Sequence, residues 1–433
     1  MTPPARLAAA IEVFETIARE RRPAAEALKA WGLTHRFAGS GDRAAVAGLV
    51  YDALRRRASS ASIMNSDTPR AILLGMLKRE RGLGIDAIAA LADGSKYAPE
   101  PLSEVERANL QSHDAATVPP YVAGDYPQWL DPYFERAFGA QRADEGAALS
   151  SRAPLDLRVN TLKADRETVA AALSEFGPKP TPWSPTGLRI RLAADAKNPA
   201  IHVETVFLKG HVEIQDEASQ LAAMFTQAKP GEQVVDLCAG AGGKTLALAA
   251  LMQNKGQIFA TDEDKRRLAP IHDRVSRSGA RNVQVRPPKS VGTELADLAG
   301  HMDLVLIDAP CTGTGTWRRN PDAKWRVRPG ALEQRQKDQL DVLDRAVPLV
   351  KAGGRIAYVT CSVLEEENGD QVRAFLLRHP QFAPQPPRQI VEVLGETASR
   401  FTAAARLSDL GLSMSPHKTG TDGFFVSVLR RVN

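Results

Sequence analysis

The three cysteines of this 433-residue chain are its best candidates for covalent chemistry, and each follows an apolar run of strand character. Cys238 follows Gln233–Leu237, Cys311 lies three residues beyond Asp308 at the close of Leu304–Ile307, and Cys361 comes just after Arg355–Val359 and Thr360. An odd, sparse count does not make a disulfide framework and fits a reducing compartment. No C-x-x-C pair exists and no nearby histidine completes a closed site, so no metal is expected. Cysteine often serves as a small buried hydrophobe, which is the plainer reading of Cys238.

For Cys311, in Asp308-Ala-Pro-Cys-Thr-Gly-Thr-Gly315, and Cys361, in Thr360-Cys-Ser362, the alternative is thiolate catalysis. Carbon 5 of cytosine is too poor a nucleophile to take a methyl group unaided. A thiolate adding to carbon 6 makes carbon 5 enamine-like. Carbon 5 then attacks an electrophilic methyl, loses its proton and releases the thiolate, so one hard step becomes several easier ones. A free cysteine, with a pKa of about 8.5, is only a few per cent ionised at pH 7, so positive charge or a helix N-terminus must activate it. Asp308, three residues before Cys311 in an apolar setting, could hydrogen-bond the pyrimidine edge, against the plainer role of capping its loop. Arg318, Arg319, Lys324 and Trp325 offer cations for phosphates and an aromatic surface for stacking. Ser362 and Glu365 spell an S-x-x-E capping box and read as structural.

A second constellation is Asp236-Leu-Cys238-Ala239-Gly240-Ala241-Gly242-Gly243-Lys244-Thr245. Its glycines allow close backbone approach to a ligand at a helix N-terminus. A P-loop would need glycine at Cys238, and a dinucleotide fingerprint would need glycine at Thr245, so both fail. Asp262, 22 residues past Gly240 at the end of the next strand, could accept from ribose hydroxyls or could cap the helix containing Lys265–Leu268. Loop and acid together point to an adenosine-containing cofactor without saying which; an ordinary tight turn is the alternative.

These residues need a sheet to bring them together. The runs above, with Gln257–Ala260 and Asn282–Val285, alternate with helical stretches, the pattern of a parallel sheet covered on both faces. Ligands bind such sheets outside the carboxyl ends of the strands. Gly423–Leu429 reads as a last strand at the sheet edge. Upstream, Leu7–Arg19, Ala24–Trp31, Asp42–Arg57, Arg70–Arg79 and Gly84–Ala92 are amphipathic and predict a helical bundle. Residues 111–130 read as loop. Leu155–Asn160, Arg166–Phe176 and Gly187–Leu192 predict strand, helix and strand of a small α/β subdomain. Three domains follow: 1–115, 120–205 and 206–433. Lys plus Arg number 56 against 51 Asp plus Glu, an excess that permits a nucleic-acid partner without demanding one. No apolar run of about 18 residues occurs, and the first residues lack signal-peptide character, so a cytoplasmic protein with no membrane partner is expected.

At these residues the sequence resembles the RNA cytosine carbon-5 methyltransferases of the Sun/Fmu (RsmB) type. The family's D-x-C-A-A-P-G-G-K-T is approximated by Asp236–Thr245, and its D-A-P-C-S/T-G-x-G is matched by Asp308–Gly315. R-R-x-P-D-x-K-W is matched by Arg318–Trp325, T-C-S-x-x-x-x-E-N by Thr360–Asn368, and G-x-D-G-F-F by Gly420–Phe425. Leu157–Lys163 and Gln215–Ser219 look like family elements that precede the catalytic domain, and Asp42–Arg55 is similar to a NusB-like RNA-binding domain. The resemblance implies a Rossmann-like methyltransferase domain with a mostly parallel seven-stranded sheet and helices on both faces. A small RRM-like α/β subdomain and an all-α NusB-like domain would precede it. It implies S-adenosylmethionine as cofactor, held by Cys238 to Lys244, Asp262 and Asp308, and RNA, most of all small-subunit ribosomal RNA, as partner of a monomer. Cys361 would be the nucleophile and Cys311 the cysteine that helps release product. Two positions depart from the family: Gly240-Ala241 replaces Ala-Pro, and Arg286-Pro-Pro-Lys-Ser290 carries no acid for the adenine.

Two rival functions stay open at this point. An amino-group methylase needs no cysteine, since an exocyclic nitrogen attacks directly. A non-catalytic RNA-binding assembly factor could also retain the fold, and transfer RNA or another RNA could replace ribosomal RNA as substrate.

Overall fold

The computed structural model describes residues 1–112, 118–192, 199–288 and 294–432, which form two compact units. One comprises Met1–Arg152 together with Trp317–Arg328; the other comprises Ala153–Thr316 and Pro329–Asn433.

The first unit is helical. Its opening helix, Pro3–Glu20, starts where Thr2 accepts from the Ala5 N–H and proline occupies the first turn, and Pro69–Arg79 repeats the device with Thr68. Leu7, Val13, Phe14, Val50, Leu54, Ile72 and Leu73 of these helices and of Ser40–Arg55 share one core. The predicted helix 42–57 breaks at Arg56, and Arg57–Met64 is a separate helix. The unit continues to Arg152, past the expected boundary at 115, through short helices such as Asp131–Phe138 and Arg142–Leu149.

The second unit holds two sheets. In the smaller, strands β1 (Leu155–Val159), β2 (Lys179–Pro180), β3 (Gly187–Ile190) and β4 (Val212–Ile214) are antiparallel in the order β2-β3-β1-β4. β4 lies beyond the expected boundary at 205.

The larger sheet has nine strands: β5 (Gln233–Asp236), β6 (Gln257–Ala260), β7 (Val283–Val285), β8 (Met302–Asp308), β9 (Val350–Thr360), β10 (Phe382–Pro384), β11 (Arg406–Ser408), β12 (Gly411–Met414) and β13 (Phe424–Arg431). β9-β8-β5-β6-β7 run parallel. Alternate residues enter opposite cores: Val234, Leu304, Leu306, Ala357 and Val359 on one face, and Val235, Val305, Ile307, Ile356 and Tyr358 on the other. Both faces are therefore covered, as the continuous apolar runs require. β13 pairs antiparallel with β9 but is not the edge, because β12 and β10 pair with its other side and β11 pairs with β12. The sheet exceeds the expected seven strands because β10 to β12 are three or four residues long and leave too little periodicity to read.

Candidate active site

Asp236 ends β5, Asp308 ends β8 and Thr360 ends β9, so parallel pairing carries the following turns to one edge of the sheet. In register, Asp236 pairs with Leu306 and Asp308 with Val359. The turns after β8 and β9 bring Cys311 Sγ to 3.3 Å from Cys361 Sγ. Both are half-buried free thiols. Contact with Cys361, then burial, holds the Cys311 thiol well above its ordinary range. At Cys238, burial and then the charges of Asp236, Asp308 and Asp262 push the thiol up as well, which disfavours its thiolate.

Backbone contacts fix the two turns to each other. Gly315 N–H donates to the Cys361 carbonyl at 2.9 Å, and Gly423 N–H donates to the Gly315 carbonyl at 2.8 Å. A Cβ on Gly315 would stand 2.0 Å from the Gly423 carbonyl oxygen, so only glycine fits this crossing. Below it lies a carboxylate that the sequence reading passed over. Glu367, fully buried, accepts from Thr312 N–H at 2.8 Å, Thr312 Oγ1 at 2.5 Å, Ser362 Oγ at 2.5 Å and Gln339 Nε2 at 3.1 Å. Its side chain ties the residue after Cys311 to the residue after Cys361. The capping box expected of Ser362 and Glu365 is absent: the hydroxyl serves Glu367, and Glu365 pairs with Arg406. The signal was present as the penultimate residue of Thr360–Asn368. Asn368 also closes this turn, accepting from Thr360 Oγ1 at 2.5 Å and donating to the Ser362 carbonyl at 3.0 Å.

The glycine turn after β5 lies beside this pair. Lys244 Nζ reaches Asp308 Oδ2 at 2.7 Å and stands over the Phe424 ring at 5.1 Å. Asp308 remains about one-third exposed, so it faces solvent from the strand end rather than merely capping its loop. Asp236 is buried, accepts from Thr245 Oγ1 at 2.7 Å through one oxygen, and its other oxygen has no partner among the described residues. Burial raises its carboxyl to about 7, a hydrogen bond from Thr245 opposing and the charge of Asp308 adding to the rise. Asp262 accepts from Gly240 N–H and from Asp264 N–H, each at 2.9 Å. It is not a helix cap; Asp264 caps Lys265–Leu268. Arg286 stacks over Phe259 and pairs with Asp297 at 2.6 Å, while Lys289 and Ser290 lie outside the described residues.

The family described as 16S rRNA methyltransferase RsmB/F matches residues 223–430, and its ferredoxin-like domain matches 126–197. The probable ribosomal RNA small subunit methyltransferase B of Bacillus subtilis is 31% identical, over 76% of this chain and 72% of its own. The chain belongs to the RsmB-type methyltransferase family. The corresponding Synechocystis protein is 29% identical over 90% of this chain and 91% of its own. The crystal structure of a methyltransferase homolog from Pyrococcus horikoshii is 27% identical, with a TM-score of 0.58 over 74% of this chain and 100% of that one. An RsmB-type enzyme is an S-adenosylmethionine-dependent methyltransferase on a Rossmann-like fold. In the turn after β5, Gly240 and Gly242 adopt φ of +49° and +84°, a Cβ on Gly242 would meet the Ile271 side chain at 2.5 Å, and the Asp262 carboxylate follows β6 and accepts from Gly240 N–H.

The group 318–325 does not behave as the sequence reading supposed. Lys324 is fully buried, and its ammonium donates to the carbonyls of Arg55 at 2.9 Å and Asp125 at 2.7 Å and to Ser150 Oγ at 2.7 Å. Trp325 donates from Nε1 to the Leu54 carbonyl at 2.6 Å and packs on the helical core. Arg318 is buried as well. Lys324 and Trp325 hold 317–328 within the helical unit, so their polar groups are spent on backbone carbonyls and a hydroxyl rather than offered to phosphate or base. Arg319 keeps partial exposure.

Proposed function

We propose that this RsmB-type enzyme methylates carbon 5 of a cytosine in small-subunit ribosomal RNA, with Cys361 as covalent nucleophile. The thiol pair at 3.3 Å carries this reading. Methylating an exocyclic amino group would need neither sulfur, and two cysteines on neighbouring strand ends would then be idle.

Cys238 to Lys244, Asp262 and Asp308 would hold S-adenosylmethionine, with the Asp262 carboxylate at the ribose. When bound, that cofactor supplies an electrophilic methyl group. The Cys361 thiolate adds to carbon 6 of the cytosine, which places an electron pair on carbon 5. Asp308, accessible and fixed by Lys244, orients the pyrimidine edge. After methylation the carbon-5 proton passes to solvent, the bond from carbon 6 to sulfur breaks, and Cys361 leaves as thiolate. Cys311, held as a thiol, donates to the departing sulfur and so favours release. Arg319 remains for RNA contact, joined by the helical unit as an RNA-binding element. The names of the curated relatives favour small-subunit ribosomal RNA over transfer RNA.

The test is bisulfite sequencing of RNA from cells lacking the gene, complemented with wild-type protein or with Cys361→Ala. One ribosomal cytosine should regain protection with the wild type alone. Protection restored equally by Cys361→Ala would overturn the covalent reading, and a restored site in transfer RNA would reassign the substrate.

A further inference from the structure

Two residues outside the glycine turn hold one of its carbonyls in place. The Ala241 carbonyl lies between the left-handed Gly240 and Gly242, and among the described residues no backbone N–H reaches it. Instead it accepts from Arg274 Nη1 at 2.9 Å. Arg274, in the helix Ile271–Ser278, is fixed in turn by Glu213 of β4, whose Oε2 accepts from Nε at 3.2 Å and Nη2 at 2.8 Å. The other oxygen of Glu213 accepts from Arg277 Nη2 at 2.5 Å. Glu213 is 3% exposed, so this ion pair is protected from solvent and its geometry is constrained. Arg158, the register partner of Glu213 on β1, is buried too and reaches the Gly243 carbonyl at 3.4 Å.

We infer that Glu213 and Arg274 are positioning residues that hold the turn in its cofactor-binding shape, doing the work that the proline of the D-x-C-A-A-P-G-G-K-T pattern would do at position 241. Proline fixes φ near −65°; alanine leaves that torsion free, and the turn must then be ordered from outside. Here the external donor is Arg274, and the small sheet supplies its anchor. The inference rests on the reading that this turn binds S-adenosylmethionine.

The test uses the full chain and two readouts: S-adenosylmethionine affinity by calorimetry, and amide hydrogen exchange at Gly242 without cofactor. Arg274→Met and Glu213→Gln should each weaken binding about tenfold, the size expected for a charge-assisted hydrogen bond. They should also speed exchange at Gly242 and raise KM for the cofactor more than they lower kcat. Ala241→Pro added to Arg274→Met should recover most of the affinity. If Arg274→Met does not unfold cooperatively, Arg274→Lys replaces it, because an ammonium cannot serve Glu213 and Ala241 with the same planar fork. Unchanged affinity and exchange in a folded Arg274 variant, with Asp262→Asn still weakening binding, would overturn the clamp and leave the turn as cofactor site. Wild-type affinity in both the Arg274 and Asp262 variants would remove the cofactor reading itself. Failure of Ala241→Pro to rescue a weakened variant would sink the equivalence with proline.

Discussion

The sulfur atoms of Cys311 and Cys361 stand 3.3 Å apart on turns that follow two adjacent parallel strands. Under the proposed mechanism one sulfur makes the bond to RNA and the other assists its rupture. Cys311→Ala should therefore still methylate once but fail to let go. Incubation with substrate RNA and cofactor should yield a protein–RNA species that survives a denaturing gel, whereas Cys361→Ala should yield none. Free Cys311→Ala protein as the sole product would reject the release role.

The Gly315–Gly423 crossing gives a second expectation. Gly315→Ala puts a methyl 2.0 Å from a backbone oxygen, and the same glycine holds the Cys361 carbonyl. Overpacking of this kind costs about 1–3 kcal/mol, and here relief must move either Gly423 or the turn that is bonded to the nucleophile's carbonyl. Denaturant unfolding should show a loss of that order. Turnover should fall by at least about a hundredfold, since a displacement near 1 Å has that effect. Near-normal turnover would mean that the turn tolerates the shift.

Asp236 makes stability depend on pH. Its carboxyl is raised from 3.8 to about 7 in the folded protein, so between those values the native state holds a proton that the unfolded chain has lost. The contribution is complete below 3.8 and disappears as pH rises through about 7, with a slope of at most about 1.4 kcal/mol per pH unit. Glu367 and Glu217, both raised by burial, add to the same trend, so the informative quantity is the difference between wild type and variant. Asp236→Asn should flatten the fall in urea-unfolding free energy between pH 5 and pH 8. Parallel profiles would show that Asp236 is ionised throughout.

Lys324→Met leaves the carbonyls of Arg55 and Asp125 and the hydroxyl of Ser150 without their donor inside the helical unit. The expected cost is about 3 kcal/mol in urea unfolding. Because the lysine meets no phosphate, the salt dependence of RNA binding should keep its slope in protein that remains folded. A slope reduced by about one, with stability intact, would restore the phosphate role.

The sheet edge was legible in the sequence because apolar runs ending at Asp236, Asp308 and Thr360 must terminate together once the strands run parallel. The glycine turn was legible because few other reasons place glycines at 240, 242 and 243. Lys324 and Trp325 were misread for a physical reason: their partners Arg55 and Leu54 are more than 260 positions away, and no local pattern tells a buried cation from a solvated one. Glu367 was overlooked because Ser362 and Glu365 have the spacing of a helix start, while the 3-10 turn Glu365–Glu367 carries the hydroxyl to the later acid. The Arg274–Glu213 pair joins two segments 61 positions apart and has no signature of its own.

The polypeptide passes between its two compact units three times, after Arg152, after Thr316 and after Arg328. A module added end to end would need a single passage. The helical unit therefore cannot be traded between proteins by one recombination breakpoint, since part of its interior is encoded just downstream of the Asp308–Gly315 motif. Selection on either portion of the gene acts on both.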